Sequence, residues 1–143
     1  MRILAKSDIG KAREMNQDSY YISDLENDDI KLYILADGMG GYKGGEIASS
    51  LAVANTRNYI FNNFKNIKKD REGILQLIKE AIEYANEIVC EKAKENEELQ
   101  DMGTTLDVCL IYNNKVFIGH VGDSRVYRIR KNIIRRITTD HSY

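Results

Sequence analysis

The feature that most constrains this chain is an apolar strand that runs directly into an aspartate and a glycine-rich loop. In residues 30–36, Ile30, Leu32, Ile34 and Ala36 alternate with the intervening side chains, a pattern typical of a strand with one buried face. Asp37 follows at the end of this strand, and five of the next eight residues are glycine. A carboxylate at the edge of a core is costly unless it is paired or binds a cation, and the glycines would let the backbone approach such a ligand. The simpler alternative is a strand-to-helix turn in which Asp37 caps the helix.

The glycine-rich loop does not match either common nucleotide-binding motif. A P-loop requires Ser or Thr after its lysine, whereas Lys43 is followed by Gly44. A dinucleotide-binding fingerprint that began at Gly38 would require glycine where Lys43 stands. The loop is therefore not predicted to cradle a nucleotide phosphate in either of these ways.

Two other polar segments supply matching chemistry. Residues 8–18 contain Arg13 and end at Asp18, and residues 119–125 place Asp123 just after another apolar strand. Aspartates at strand and loop ends are hard oxygen ligands, which suit Mg²⁺ or Mn²⁺ better than zinc. Arg13 adds a planar, permanently charged group that can bind a phosphate through two hydrogen bonds.

The remaining pattern predicts a mixed fold of three strands, two helices and a meander of strands. Apolar spacing predicts a helix over residues 45–64 and a second helix with a stripe over residues 74–89, joined by a polar loop at residues 65–73. The charged residues 94–101 are expected to form a frayed helix end and a mobile connector. Alternation with period two predicts strands over residues 105–112, 115–120, 126–130 and 133–137. Antiparallel strands interrupted by a helix pair fit two sheets with helices packed outside them.

Composition limits the classes of function. A chain of 143 residues forms at most one domain, and a net charge of −1 gives no attraction to nucleic acid or to an anionic membrane. The apolar runs are too short to span a bilayer, and the N-terminus has no signal-peptide core, so cytoplasm is the expected location. Cys90 and Cys109 are isolated in the sequence and indicate neither a disulfide framework nor a zinc cluster.

Four short motifs, taken together, resemble the metal-dependent PP2C-type (PPM) protein phosphatases, and the chain looks most like their compact bacterial members. The motifs occur in the family's order and are Arg13-x-x-Asn16-Gln17-Asp18, Asp37-Gly38-Met39-Gly40-Gly41, Gly103-Thr104-Thr105 and Val121-Gly122-Asp123-Ser124-Arg125. The resemblance covers essentially the whole chain. It implies an α+β fold, the α/β/β/α sandwich of two antiparallel sheets flanked by helices, which agrees with the pattern of elements.

The resemblance also implies roles for individual residues around Mn²⁺ or Mg²⁺, with two ions, and in bacterial members a third, in the complete domain. Asp37 matches the carboxylate that bridges two ions, and the Gly38 carbonyl matches a ligand of one of them. Asp18 matches a ligand of the second ion, directly or through water, and Asp123 matches a ligand of the weaker third ion. Arg13 matches the clamp for the substrate phosphate.

Each of these residue types also has a simpler interpretation. Asp18 could hydrogen-bond a loop, and Asp123 could be a turn residue. Arg125, which follows a turn, is expected to pair with a carboxylate and support the loop. His120 is expected to be a core or supporting histidine rather than a ligand. Glu46 is expected to be a first-turn helix carboxylate.

The chain departs from the family pattern at two places. Tyr42 stands where bacterial members commonly carry a histidine linked with proton donation to the leaving group. A phenol is a weaker acid near neutral pH, because its usual pKa is about 10. The chain also stops at Tyr143, before the flap segment and the two later metal aspartates of the family, so residues 1–143 are expected to be one partial PP2C-like domain.

The resemblance implies hydrolysis of phosphoserine and phosphothreonine in proteins by a metal-activated water. The expected partners are phosphorylated protein substrates, with a Ser/Thr kinase as the opposing enzyme and a bacterial signalling role. Nucleic acids and membranes are not expected partners. The alternative is a catalytically silent fragment or interaction module of the same fold, which the missing aspartates favour for this chain on its own.

Overall fold

The computed structural model describes residues 1–24, 26, 28–41 and 43–141. The elements, in chain order, are β1 (Asp18–Ile22), β2 (Lys31–Met39), α1 (Gly44–Asn63), a 3₁₀ turn (Phe64–Asn66), α2 (Arg71–Glu95), a 3₁₀ turn (Glu97–Leu99), β3 (Gly103–Thr104), β4 (Leu106–Tyr112), β5 (Lys115–Val121), β6 (Tyr127–Arg130) and β7 (Ile133–Arg136). The predicted α+β class with two antiparallel sheets is confirmed.

The main sheet has the antiparallel order β1-β2-β4-β5, with β3 paired to the far end of β2. The predicted alternation in β2 is borne out, because Ile30, Leu32, Ile34 and Ala36 are all buried. They meet side chains of α1 and α2, which pack together on that face. The core therefore lies between the main sheet and one layer of two helices.

The second sheet is the hairpin of β6 and β7. Its turn, like the β4–β5 turn, places two residues at positive φ, which explains the Asn-rich turn sequences. Both strands are exposed, including Ile129, Ile133 and Ile134. Within the described part of the chain, no second helix layer covers this hairpin.

Three details differ from the prediction. Two strands rather than three precede α1 among the described residues, because residues 1–9 pair with no described strand. Helix α2 begins at Arg71, since the Asp70 side chain accepts a hydrogen bond from the Gly73 N–H at 2.8 Å and caps it. The connector after α2 contains a 3₁₀ turn and buries Leu99 and Met102, which its charged sequence did not predict.

None of the helices in the described residues combines sufficient length with sufficient apolar character to cross a bilayer. Cys90 and Cys109 are both free thiols, as their isolation in the sequence indicated.

Candidate functional site

A polar cleft of about 520 Å³ opens at the end of β1 and β2. The described residues that sequence analysis selected all line it: Arg13, Asp18, Asp37, Gly38 and Asp123. They come from three separate parts of the chain, namely the N-terminal loop, the first strand pair and the loop after β5. The fold therefore brings the predicted residues to one place.

Asp18 and Asp37 are directly opposite each other on the antiparallel strands β1 and β2. Side chains at such positions lie on the same face within about 4.5–5.5 Å between Cβ atoms, and like charges there repel. The pKa of Asp37 is raised, first by burial of its carboxyl group and then by hydrogen bonding to Asp18 and the negative charges of Asp18 and Asp123. Asp37 is an exposed residue as a whole, and it lines this cleft. The two carboxylates therefore repel each other, and a bound cation would offset this repulsion.

Arg13 is the positive charge of the cleft. Its guanidinium opposes the other influences on Asp37 by lowering the pKa of that carboxyl group. Arg13 is exposed and forms no ion pair with any residue that the structure describes. It is therefore available to an anionic ligand.

The N-terminal loop that carries Arg13 is held by local hydrogen bonds. Asp8 Oδ1 accepts the Gly10 N–H at 2.8 Å, and Asn16 Oδ1 accepts the Asp18 N–H at 3.0 Å. The Asn16 amide also donates to Ser7 Oγ at 2.6 Å. These contacts fix the entry into β1, and with it the position of Asp18.

The glycine-rich segment is explained mainly by packing inside the protein. A Cβ atom on Gly38 would lie 1.9 Å from the Gly45 carbonyl oxygen and 2.7 Å from that of Gln17. The start of α1 therefore packs directly against the backbone of β2. The expectation that the glycines allow the backbone to approach a ligand therefore explains Gly38 only in part. Asp37 lies within β2, and the N-cap of α1 is Lys43, so Asp37 is not the helix cap.

Asp123 lies in the loop after β5, which is joined to β2 through Thr105. The Asp37 N–H donates to Thr105 Oγ1 at 2.9 Å, and the Thr105 N–H donates to the Asp37 carbonyl at 3.0 Å. Thr105 Oγ1 also lies 2.8 Å from Ser124 Oγ, next to Asp123. Thr105 belongs to the Gly103-Thr104-Thr105 motif, whose sequence does not indicate these contacts.

The other polar residues of the Asp123 loop support it. Arg125 Nη2 lies 2.7 Å from Asp140 Oδ2 and Arg125 Nε lies 3.0 Å from Asp140 Oδ1, which confirms that Arg125 pairs with a carboxylate. This pairing lowers the pKa of Asp140 and raises that of Arg125. The Gly122 carbonyl accepts the His141 N–H at 2.8 Å. The segment around Asp140 therefore contacts one side of the Asp123 loop and supports it.

His120 is a supporting residue, as expected, but its main partner was missed. Its Nδ1 lies 2.5 Å from Oδ1 of the buried Asp107, and its Nε2 lies 2.9 Å from the Thr139 carbonyl oxygen. Burial raises the pKa of Asp107, and His120 opposes this. Asp107 looks like an ordinary polar position of β4 in the sequence, and only its cross-strand register with His120 shows its function.

The cleft suits an oxygen-liganded divalent ion, but it holds only part of a ligand set. Asp18 and Asp37 form a close carboxylate pair, with Asp123 contributing charge from across the cleft. In the described chain, no three Asp, Glu, His or Cys side chains already converge as a metal shell. The predicted proton-donor position, Tyr42, lies outside the described residues. Glu46 lies in the first turn of α1, as expected.

A larger groove of about 600 Å³ lies between α2 and the ends of β3 to β5. Its lining is mostly apolar and includes Ile82, Val89, Met102 and Leu106. Its charged lining residues are Glu83 and Lys94, and none of the described residues around it forms a carboxylate pair like that of Asp18 and Asp37. The smaller polar cleft is therefore the better candidate for chemistry, despite its smaller volume.

Comparison with known proteins gives one consistent result. The family model described as Protein phosphatase 2C matches residues 10–143. Protein phosphatase PhpP of Streptococcus pneumoniae is 33% identical over 144 residues, a match that spans 99% of this chain and 56% of PhpP. The crystal structure of the Mycobacterium tuberculosis serine/threonine phosphatase PstP/Ppp is 32% identical with a TM-score of 0.79, and the match covers 96% of this chain and 54% of that one.

A second PstP structure, of the catalytic domain in complex with two manganese ions, matches with 31% identity and a TM-score of 0.80. That match covers 96% of this chain and 55% of the PstP chain. The chain thus spans little more than half the length of these relatives. Sequence and structure agree on one family over nearly all of the chain.

Proposed function

The chain belongs to the protein phosphatase 2C family, and from that premise we propose that it forms the metal- and phosphate-binding part of a protein serine/threonine phosphatase. The observation that carries the proposal is the cross-strand pair Asp18–Asp37 with Arg13 in the same cleft. This arrangement offers paired carboxylates for a divalent cation and a guanidinium for the phosphate that the cation attracts.

The proposed residue roles are those that the family resemblance implies. Asp37 is the central ligand, which its place opposite Asp18 and in the same cleft as Asp123 supports. Asp18 and the Gly38 carbonyl are assigned as the neighbouring ligands, and Asp123 is assigned to a more weakly bound ion. Arg13 binds the substrate phosphate. Mn²⁺ or Mg²⁺ is the proposed cofactor, supported by the oxygen character of the donors and by the two manganese ions of the related PstP structure.

When bound, such ions activate water for attack on phosphorus and neutralise the negative charge that develops on the phosphate. The contribution of this chain is positional. The β1–β2 register fixes the spacing of the two carboxylates, and Thr105 ties their strand to the Asp123 loop. Arg13 orients the phosphate by charge-assisted hydrogen bonds, which contribute about 1.5–3 kcal/mol each.

We further propose phosphoserine and phosphothreonine proteins as substrates, with a Ser/Thr kinase as the opposing enzyme, in the bacterial cytoplasm. The names of the relatives support this substrate class. The net charge of −1 is consistent with a protein that binds neither nucleic acid nor anionic membrane. These names do not favour the alternative of a silent interaction module.

A chimaera tests the activity. Residues 1–143 are joined to the part of S. pneumoniae PhpP that the match does not span, and Mn²⁺-dependent hydrolysis of a phosphothreonine peptide is measured. We expect turnover that Asp37→Asn abolishes, while Asp29→Asn, a charge-matched exposed change at the other end of β2, leaves it intact. A chimaera that unfolds cooperatively but shows no Mn²⁺-dependent turnover would contradict the proposal.

A further inference from the structure

Thr105 is the point at which the two metal-binding elements of the cleft meet. It lies between β3 and β4 and is only 5% exposed. Its hydroxyl oxygen accepts the Asp37 N–H at 2.9 Å and lies 2.8 Å from Ser124 Oγ. A single buried hydroxyl thus contacts the strand of Asp37 and the loop of Asp123.

One of the two hydrogen bonds at this oxygen has a fixed direction. The Asp37 amide can only donate, so Thr105 Oγ1 accepts from it. The remaining contact is satisfied by either hydroxyl donating to the other. The backbone N–H of Thr105 returns a bond to the Asp37 carbonyl at 3.0 Å, so Asp37 is held from both its amide and its carbonyl.

The methyl group of Thr105 has a separate contact. Gly122 adopts φ +110°, and a Cβ atom there would lie 2.7 Å from Thr105 Cγ2. The loop before Asp123 therefore packs closely over the Thr105 methyl group. Valine at position 105 would retain this packing and lose the hydroxyl, whereas serine would retain the hydroxyl and lose the methyl group.

We propose that Thr105 is a positioning residue, whose hydroxyl sets the distance between Asp37 and Asp123 and thereby the metal affinity of the cleft. This inference rests on the proposed function for its metal-binding consequence. Thr105 is not among the proposed metal or phosphate ligands. It acts through Asp37 on one side and through Ser124 on the other.

The test uses the 143-residue chain and two measurements. Amide hydrogen exchange of residues 37 and 123–125 is measured without metal, and Mn²⁺ affinity is measured by calorimetry. Thr105→Val should speed exchange at Asp37 and in the loop, and weaken Mn²⁺ binding about tenfold, since the Asp37 amide loses its acceptor. Thr105→Ser should restore both towards wild type.

Ser124→Ala removes the hydrogen bond between Thr105 and Ser124 and leaves the one between Thr105 and Asp37. It should speed exchange in the loop only, because the bond from Asp37 to Thr105 remains. The double variant Thr105→Val/Ser124→Ala should bind Mn²⁺ no more weakly than Thr105→Val alone, since both changes break the same link. Thr56→Val is the matched control, because Thr56 is fully buried in α1, away from the cleft.

Each of the following results is sufficient on its own to decide on the proposal. Unchanged exchange at residues 123–125 in both Thr105→Val and Ser124→Ala overturns the proposal, as does wild-type Mn²⁺ affinity in Thr105→Val. If Thr105→Val does not fold, Ser124→Ala and Thr105→Ser decide by the same criteria. If wild-type Mn²⁺ binding does not depend on Asp37, the proposed function fails, and the exchange data alone decide whether Thr105 links the two elements.

Discussion

Asp18 and Asp37 face each other across the β1–β2 ladder, and burial, together with the nearby Asp18 carboxylate, raises the pKa of Asp37. Two carboxylates directly opposite on one face of a sheet repel and lower the stability of the metal-free fold. The fold keeps them there because buried alternate residues of β2 fix the register, and a one-residue slip would expose the core face. The strand register that buries the core residues of β2 therefore also places the two repelling carboxylates opposite each other.

This relationship predicts how metal-free stability depends on pH. Because the pKa of Asp37 is raised, its carboxyl group contributes most to the stability of the fold below the usual carboxyl pKa of about 3.9. This contribution is lost as the pH rises through the higher pKa of the folded state. Asp18→Asn should therefore reduce the loss of stability between about pH 4 and pH 7. Chemical denaturation at several pH values measures this, with Asp29→Asn as the control. An equal pH dependence in wild type and Asp18→Asn would contradict the coupling.

Gly38 should be intolerant of any side chain. Gly38→Ala forces a methyl group into the carbonyls of Gly45 and Gln17, and overpacking of this kind costs about 1–3 kcal/mol or more. Thermal unfolding should show a clearly lower midpoint for this variant. Gly41→Ala is the control, because a Cβ atom there meets nothing within 4 Å. Similar midpoints for the two variants would argue against close packing of α1 on β2.

Much of this arrangement was predictable from the sequence. The alternation in β2 and the apolar stripe of α2 each carry a local signal, and both elements are present as predicted. The partnership of Asp107 with His120 was not predictable, because it depends on the β4–β5 register rather than on either local sequence. The roles of Thr105 and Gly38 likewise depend on contacts between distant segments, which no local pattern encodes.

Arg13 should bind phosphate without being needed for metal. Removing one charge-assisted contact costs about 1.5–3 kcal/mol, so Arg13→Ala should weaken binding of a phosphothreonine peptide to the Mn²⁺-loaded chain by about ten- to a hundredfold. Its Mn²⁺ affinity should stay close to that of wild type. Calorimetry measures both, and Lys11→Ala is the control for the change in charge. Unaltered peptide affinity in Arg13→Ala would count against the phosphate clamp.

The 143-residue chain alone should be a poor catalyst. Its described carboxylates in the cleft, Asp8, Asp18, Asp37 and Asp123, can hold only part of a two-metal centre. We expect p-nitrophenyl phosphate hydrolysis in Mn²⁺ to be no faster than that of an Asp37→Asn variant. Clear turnover that this variant loses would show that the chain, alone or as an oligomer, assembles a complete centre.

A calorimetric Mn²⁺ titration of wild type, Asp37→Asn and Asp123→Asn, all as the 143-residue chain, tests most directly whether Asp37 is the centre of a metal site. We expect the larger loss of affinity for Asp37→Asn, because Asp37 lies opposite Asp18 and in the same cleft as Asp123. A smaller loss is expected for Asp123→Asn. An Asp37→Asn variant that binds Mn²⁺ as well as, or better than, Asp123→Asn would contradict the assignment of the cleft as a metal site centred on Asp37.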